Sequence, residues 1–130
     1  MHLDTLTVYE TIRYACLTRM SSGTTEEDRQ ERIDLLLEMT GLTHVQGNYV
    51  GDAMHKGLSG GQLKRLTIAV EVAGMPRLIF LDEPTSGLDS TISLEVMGAV
   101  LNLARQDRTI ISTIHQPSSE LFALFNKVVL

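Results

Sequence analysis

Apolar positions fall first at helical spacing and later in short unbroken runs. Val8, Ile12, Ala15 and Cys16 predict a helix over 5–20, with Thr7 and Glu10 at capping-box spacing before it. Ser21, Ser22 and Gly23 interrupt the pattern. A second helix is predicted over 25–40, with Ile33, Leu36, Leu37 and Thr40 on its apolar face. Thr24 and Glu27 have capping-box spacing, Glu26, Glu27 and Asp28 suit a helix's first turn, and Gly41 suits its end. Residues 42–58, with Gly47, Asn48, Gly51, Asp52 and Gly57 and no period, read as loop. Leu66, Ala69, Val70 and Ala73 predict a third helix over about 60–74.

From there the pattern shortens. LIFL (78–81) is a continuous apolar run, as expected of a strand buried on both faces. Val96, Val100, Leu103 and Ala104 predict a helix over 90–105, and TIISTI (109–114) is a β-branched run. Strand, helix, strand implies a βαβ unit with a parallel sheet. SSELFALF (118–125) predicts a further helix, with Pro117 suited to its first turn, and KVVL (127–130) a strand. The expected fold class is α/β: a helical part, about 1–75, followed by a βαβ parallel-sheet part, about 76–130.

Composition narrows the class without naming it. The 130 residues are 43% apolar and 21% charged, ordinary for one globular unit, and a net charge of −5 speaks against nucleic acid as a partner. No apolar run approaches the roughly 18 residues of a membrane span, and the first ten residues lack the basic and apolar blocks of a signal peptide. The isolated chain is therefore expected to be soluble. The lone Cys16 cannot form an internal disulfide and reads as a half-buried helical thiol. EEDRQER (26–32) reads as a solvated face, and His2, His44 and His55, which show no metal spacing, as surface residues.

Two places carry candidate chemistry. LIFL runs into Asp82 and Glu83, and TIISTI into His115 and Gln116. In a right-handed βαβ unit both strand ends lie on one sheet edge, where ligands of open α/β sheets bind. Neighbours on an extended chain point to opposite sides, so one acid suits a metal and the other a water. The dipeptide alone is more simply a strand end, with Pro84 stopping the ladder. The second place is GLSGGQLKR (57–65). Ser59 and Gln62 form a capping box, which accounts for Ser59 but not for Gly60 and Gly61. Paired glycines at a helix start, followed by Lys64 and Arg65, suit an anion docking on bare N–H groups, or else a tight turn with solvated bases. The residues alone leave both readings open.

Taken together, these segments resemble an ABC ATPase. LSGGQ (58–62) is similar to the signature motif, LIFLDEP (78–84) to the Walker B strand, SGLDS (86–90) to the D-loop, and His115 to the switch histidine, in the family's order and spacing. LTVYETIRYA (6–15), SGGQLKRLTIAVEVA, DEPTSGLDS and STIHQPSSELF resemble subfamily G, the white and pleiotropic-drug-resistance type. The resemblance implies a P-loop NTPase-like domain that hydrolyses ATP with Mg²⁺ to drive lipids, sterols or drugs across a membrane. It implies Mg²⁺ at Asp82, a general base at Glu83 and a γ-phosphate contact at His115. It implies that Ser59, Gly60, Gly61 and Gln62 meet ATP held mainly by a second nucleotide-binding domain, in a homo- or heterodimer. Ser86, Gly87 and Asp89 would couple the two sites, and Asp89 also suits the cap of the helix beginning near Ser90.

The P-loop, G-x-x-x-x-G-K-[ST], occurs nowhere in the 130 residues. The family also has membrane-spanning helices, which this sequence does not contain. The expectation is a partial nucleotide-binding domain, a truncated gene model or a partial product, inactive by itself but on the cytoplasmic side of a membrane within a transporter. Two other classes are compatible with LSGGQ and DEP: an ABC-type ATPase not tied to transport, and a non-catalytic interaction module. KRLTIAVEV and HQPSSELF weigh against the first.

Overall fold

The computed structural model describes residues 5–51 and 57–129; the readings for His2, Asp52, His55 and Leu130 lie outside them. The elements run α1 (Val8–Arg19), α2 (Glu26–Thr40), a 3-10 turn (Thr43–Val45), α3 (Gly60–Glu71), β1 (Leu78–Asp82), α4 (Ser90–Ala104), β2 (Thr109–Thr113) and α5 (Ser119–Phe122).

The first two helix starts follow threonine hydroxyls. Thr7 and Glu10 form a reciprocal capping box on α1. On α2 the box is Thr25 with Asp28, one residue beyond the Thr24–Glu27 pair that the sequence suggests. The reason is local. The Thr24 N–H donates to Ser21 O at 3.1 Å and its hydroxyl lies 3.1 Å from that of Ser21, so Thr24 belongs to the preceding turn. Gly41 ends α2 as expected, in the left-handed region at φ 68°.

One hydrophobic core joins all four long helices. Val8, Ile12, Ala15 and Cys16 of α1 meet Ile33, Leu36 and Leu37 of α2, Leu66, Ile68 and Ala69 of α3, and Val96, Val100 and Leu103 of α4. Cys16 is fully buried rather than half-buried, and burial pushes its thiol pKa up, partly offset by Arg32 and Arg29. The expected loop 42–58 is tethered where it is described. Thr7 and Tyr49 form an antiparallel bridge, and Val50 N donates to Leu6 O at 2.9 Å.

The acidic start of α2 is more than a solvated face, because the Glu26 carboxylate bonds both Arg13 and Arg29. Those bonds, Arg13 first, hold its pKa below the usual value of 4.5. A carboxylate whose pKa falls on folding stabilises the fold above its unfolded pKa and loses that stabilisation as pH drops through the folded value. Glu26→Gln is therefore expected to lower the thermal midpoint slightly at neutral pH and to narrow its gap to wild type as pH falls to about 3. Melting curves across that range check it; a gap that widens in acid refutes it.

β1 and β2 pair in parallel, Leu78 with Thr109 through Asp82 with Thr113, and α4 crosses between them as the βαβ pattern requires. LIFL is not buried on both faces. Ile79 and Leu81 are 6% exposed, whereas Leu78 and Phe80 are 49% and 68% exposed. The pleat sends alternate side chains to opposite faces, and the described helices cover only one of them. Two further expectations at the C-terminal end change. Residues 127–129 form no strand, since they join no ladder. The last helix is the short α5, capped by Ser118, whose hydroxyl accepts the Leu121 N–H at 3.2 Å; this leaves Pro117 ahead of the cap rather than in the first turn.

Candidate functional site

The carboxyl edge of the sheet is organised by the register. Parallel pairing sets Asp82 opposite Thr113, and the Thr113 hydroxyl donates to Asp82 Oδ1 at 2.7 Å. The next residue, Glu83, bonds back to the same threonine: its N–H lies 2.9 Å from Thr113 Oγ1 and 3.1 Å from Thr113 O. His115 follows β2 by two residues, so it stands on the edge that carries the acids. Asp82, Glu83 and His115 are all exposed.

Glu83 departs from the extended-chain picture. Its φ is +44°, in the left-handed region that non-glycine residues seldom enter. The division between the two acids is thus set by a turn after the strand, not by strand alternation. Glu83 O accepts the Ser86 N–H at 3.1 Å, and Thr85 O accepts that of Leu88 at 3.2 Å. Gly87 takes φ +76°, which a glycine adopts at no steric cost. Asp89 then caps α4, its Oδ1 accepting the Ile92 N–H at 2.8 Å. Ser86, Gly87 and Asp89 are exposed on this double turn.

The start of α3 lies against the start of α4. Ser59 and Gln62 form the expected box, with Gln62 N to Ser59 Oγ at 3.2 Å and Ser59 N to Gln62 Oε1 at 3.0 Å. The two glycines differ. Gly61 is buried, and a Cβ there would sit 2.5 Å from Ile92 Cγ2, closer than two carbons can approach. Gly60 is exposed, and its Cβ would meet Leu88 Cδ2 at an ordinary 3.6 Å. Close packing on α4 therefore requires Gly61, while Gly60 leaves backbone open to solvent.

Arg65 is not available to an anion at this helix start. Its Nη1 donates to Thr40 O at 3.0 Å and Gly41 O at 3.4 Å, and Nη2 lies 3.9 Å from Glu95. A cation on the final carbonyls of α2 complements that helix's dipole, which explains a base so early in α3. Lys64 is half-buried.

The structure thus joins Asp82, Glu83 and Thr113 at one edge, and the glycine pair with Leu88 and Ile92 at one helix junction. Sequence reasoning missed Thr113 and Ile92. Thr113 was findable: LIFLD and TIIST have equal length, so aligning parallel strands puts Thr113 opposite Asp82. Ile92 needed the helix junction itself. Among the described residues no group of three or more His, Cys, Asp or Glu could hold a metal ion. A lone Asp82 carboxylate still fits Mg²⁺, which takes one or two carboxylates and fills its octahedron with phosphate oxygens and water.

Residues 2–86 match the sequence model of the family described as ABC transporter. The chain belongs to that family. It is 41% identical over 124 residues to ABC transporter G family member 21 of Arabidopsis thaliana, covering 95% of this chain and 18% of that relative. It is 46% identical over 129 residues to an uncharacterized ABC transporter ATP-binding protein/permease of Saccharomyces cerevisiae, covering 98% of this chain and 10% of the relative. A solved ATP-binding cassette of an ABC transporter superposes with a TM-score of 0.71 at 25% identity, covering 89% of this chain and 48% of that one. The ABC chain is thus part of an α/β ATP-binding domain of the G-family kind, spanning about a fifth or less of those two relatives' length. No helix among its described residues is long and apolar enough to cross a membrane.

Proposed function

We propose that this ABC segment forms the hydrolytic edge and the partner-facing helix start of a nucleotide-binding domain that powers transport of lipids or drugs across a membrane. The observation that supports it best is the set Asp82, Glu83 and Thr113 at the carboxyl edge of a parallel strand pair. Residues 1–75 would serve as the helical part and 76–130 as part of the ATPase core, on the cytoplasmic side of the membrane.

Asp82 would hold Mg²⁺, the ion supplying charge neutralisation at phosphate oxygens when bound. Glu83 takes a proton from the attacking water, and His115 donates a hydrogen bond to the γ-phosphate. Ser59, Gly60, Gly61 and Gln62 offer a helix start to ATP held chiefly by a second nucleotide-binding domain, whether a like or unlike copy. Gly61 contributes by letting α3 seat on α4; Gly60 contributes the open backbone. Ser86, Gly87 and Asp89 carry the turn that links the acid edge to α4, and so couple the two sites.

Phosphoryl transfer rests on positioning and on neutralising charge around the phosphates. The 130 residues lack the P-loop that does most of that work. The isolated chain is expected to release phosphate from ATP no faster than buffer, while a complete P-loop-bearing cassette that includes it turns ATP over. A steady-state phosphate-release assay on both checks this. Turnover by the isolated chain that Glu83→Gln abolishes would overturn the need for a P-loop, and an inert complete cassette would overturn the function.

A further inference from the structure

We propose that Thr113 is a positioning residue that holds Asp82 and Glu83 in their working arrangement. The inference rests on the roles given above to those two acids. A hydroxyl has one proton to donate and lone pairs to accept with. Thr113 spends the proton on Asp82 Oδ1, at 2.7 Å, and accepts the Glu83 N–H, at 2.9 Å. One side chain on β2 therefore bridges the last residue of β1 and the residue that follows it.

Each bond constrains something different. All three residues are exposed, and a carboxylate in water turns freely about its side-chain bonds. Tying Oδ1 to Thr113 fixes the direction of Oδ2 and so where Asp82 presents a cation. The second bond acts on backbone. At φ +44° Glu83 occupies a region that L residues avoid, and such a conformation persists only where its surroundings over-determine it. Here the surroundings are visible. The N–H is held twice by Thr113, and the carbonyl is held by Ser86 N–H. Without the hydroxyl, Asp82 loses its tether and Glu83 keeps one N–H partner, Thr113 O. The strand would survive, since valine is nearly isosteric and favours sheets. The lost property is alignment.

The test compares T113V, T113S and E83Q in a complete cassette containing this chain. Outer-shell partners of metal ligands typically change activity or metal affinity by about 10- to 100-fold, so T113V is expected to lower kcat by that factor. It should also raise the Mg²⁺ needed for half-maximal rate by about tenfold, with KM for ATP held within about twofold. T113S, which keeps the hydroxyl, should restore both to within about threefold. In the 130-residue chain, the Glu83 amide proton reads the bond without catalysis: it should move upfield in T113V and stay in T113S. An unmoved amide in T113V, or wild-type kcat and Mg²⁺ dependence in T113V while E83Q is inactive, overturns the proposal and leaves the proposed function standing. Full activity in E83Q overturns instead the role of Glu83 on which the proposal rests. Should T113V fail to fold, a T113S variant that folds yet loses activity overturns it as well.

Discussion

Glu83→Gln is expected to abolish ATP hydrolysis in a complete cassette, lowering kcat by about 10²–10⁴-fold while ATP still binds. The substitution keeps the size of the side chain and removes only its capacity to take a proton. Nothing structural depends on that carboxylate in the bonds that fix the residue: the N–H is held by Thr113 and the carbonyl by Ser86 N–H, both through the backbone. The side chain is exposed, so neither cavity nor buried charge results. Phosphate release and nucleotide binding, measured on one preparation, separate the outcomes. Loss of binding together with turnover would mean that Glu83 shapes the site rather than acting in it.

Gly61→Ala carries the second large effect, on the helix junction. The added methyl would lie 2.5 Å from Ile92 Cγ2. Overpacking of this kind costs roughly 1–3 kcal/mol, enough to lower the thermal midpoint by several degrees. The clash names its own rescue. Ile92→Ala removes Cγ2, so the double variant should recover most of what Gly61→Ala loses, a coupling that a double-mutant cycle measures. Ile92→Val keeps the Cγ2 methyl on Cβ and should not rescue. Gly60→Ala is the contrast, since it meets Leu88 at an ordinary 3.6 Å and should be nearly neutral for stability. Additive effects of Gly61→Ala and Ile92→Ala would show that the contact does not govern the junction.

The helices were readable because their apolar faces and their ends follow local rules. Val8, Ile12, Ala15 and Cys16 mark α1, Asp89 marks the start of α4, and Gly41 the end of α2. The one-residue slip at Thr25 came from two adjacent threonines with equal capping credentials, decided by a Ser21 contact that spacing does not encode. The strands were readable as segments but not as faces. LIFL is apolar throughout, and only the arrangement of covering helices determines that Phe80 stands outside while Ile79 and Leu81 stand inside. At the site, residue types pointed to the acids and to the glycine pair. They could not show that Glu83 turns left-handed, that Arg65 is spent on α2, or that Gly61 answers to Ile92. Each of those depends on a contact between segments distant in the chain.

The outward position of Phe80, beside Leu78 and Ile111, bears on which parts of the molecule open first. Local opening is easiest where few apolar contacts must be broken. Among the described residues, the glycine junction is rooted in four helices that share one core, whereas the acid edge hangs on a two-stranded ladder packed on one face. The two halves of the proposed chemistry are therefore held with unequal firmness. Helix α3 is expected to keep its shape after the sheet has begun to exchange its amide hydrogens with water, an order that hydrogen exchange followed by NMR checks. Whatever covers Phe80 would slow that exchange and steady Glu83 without touching it.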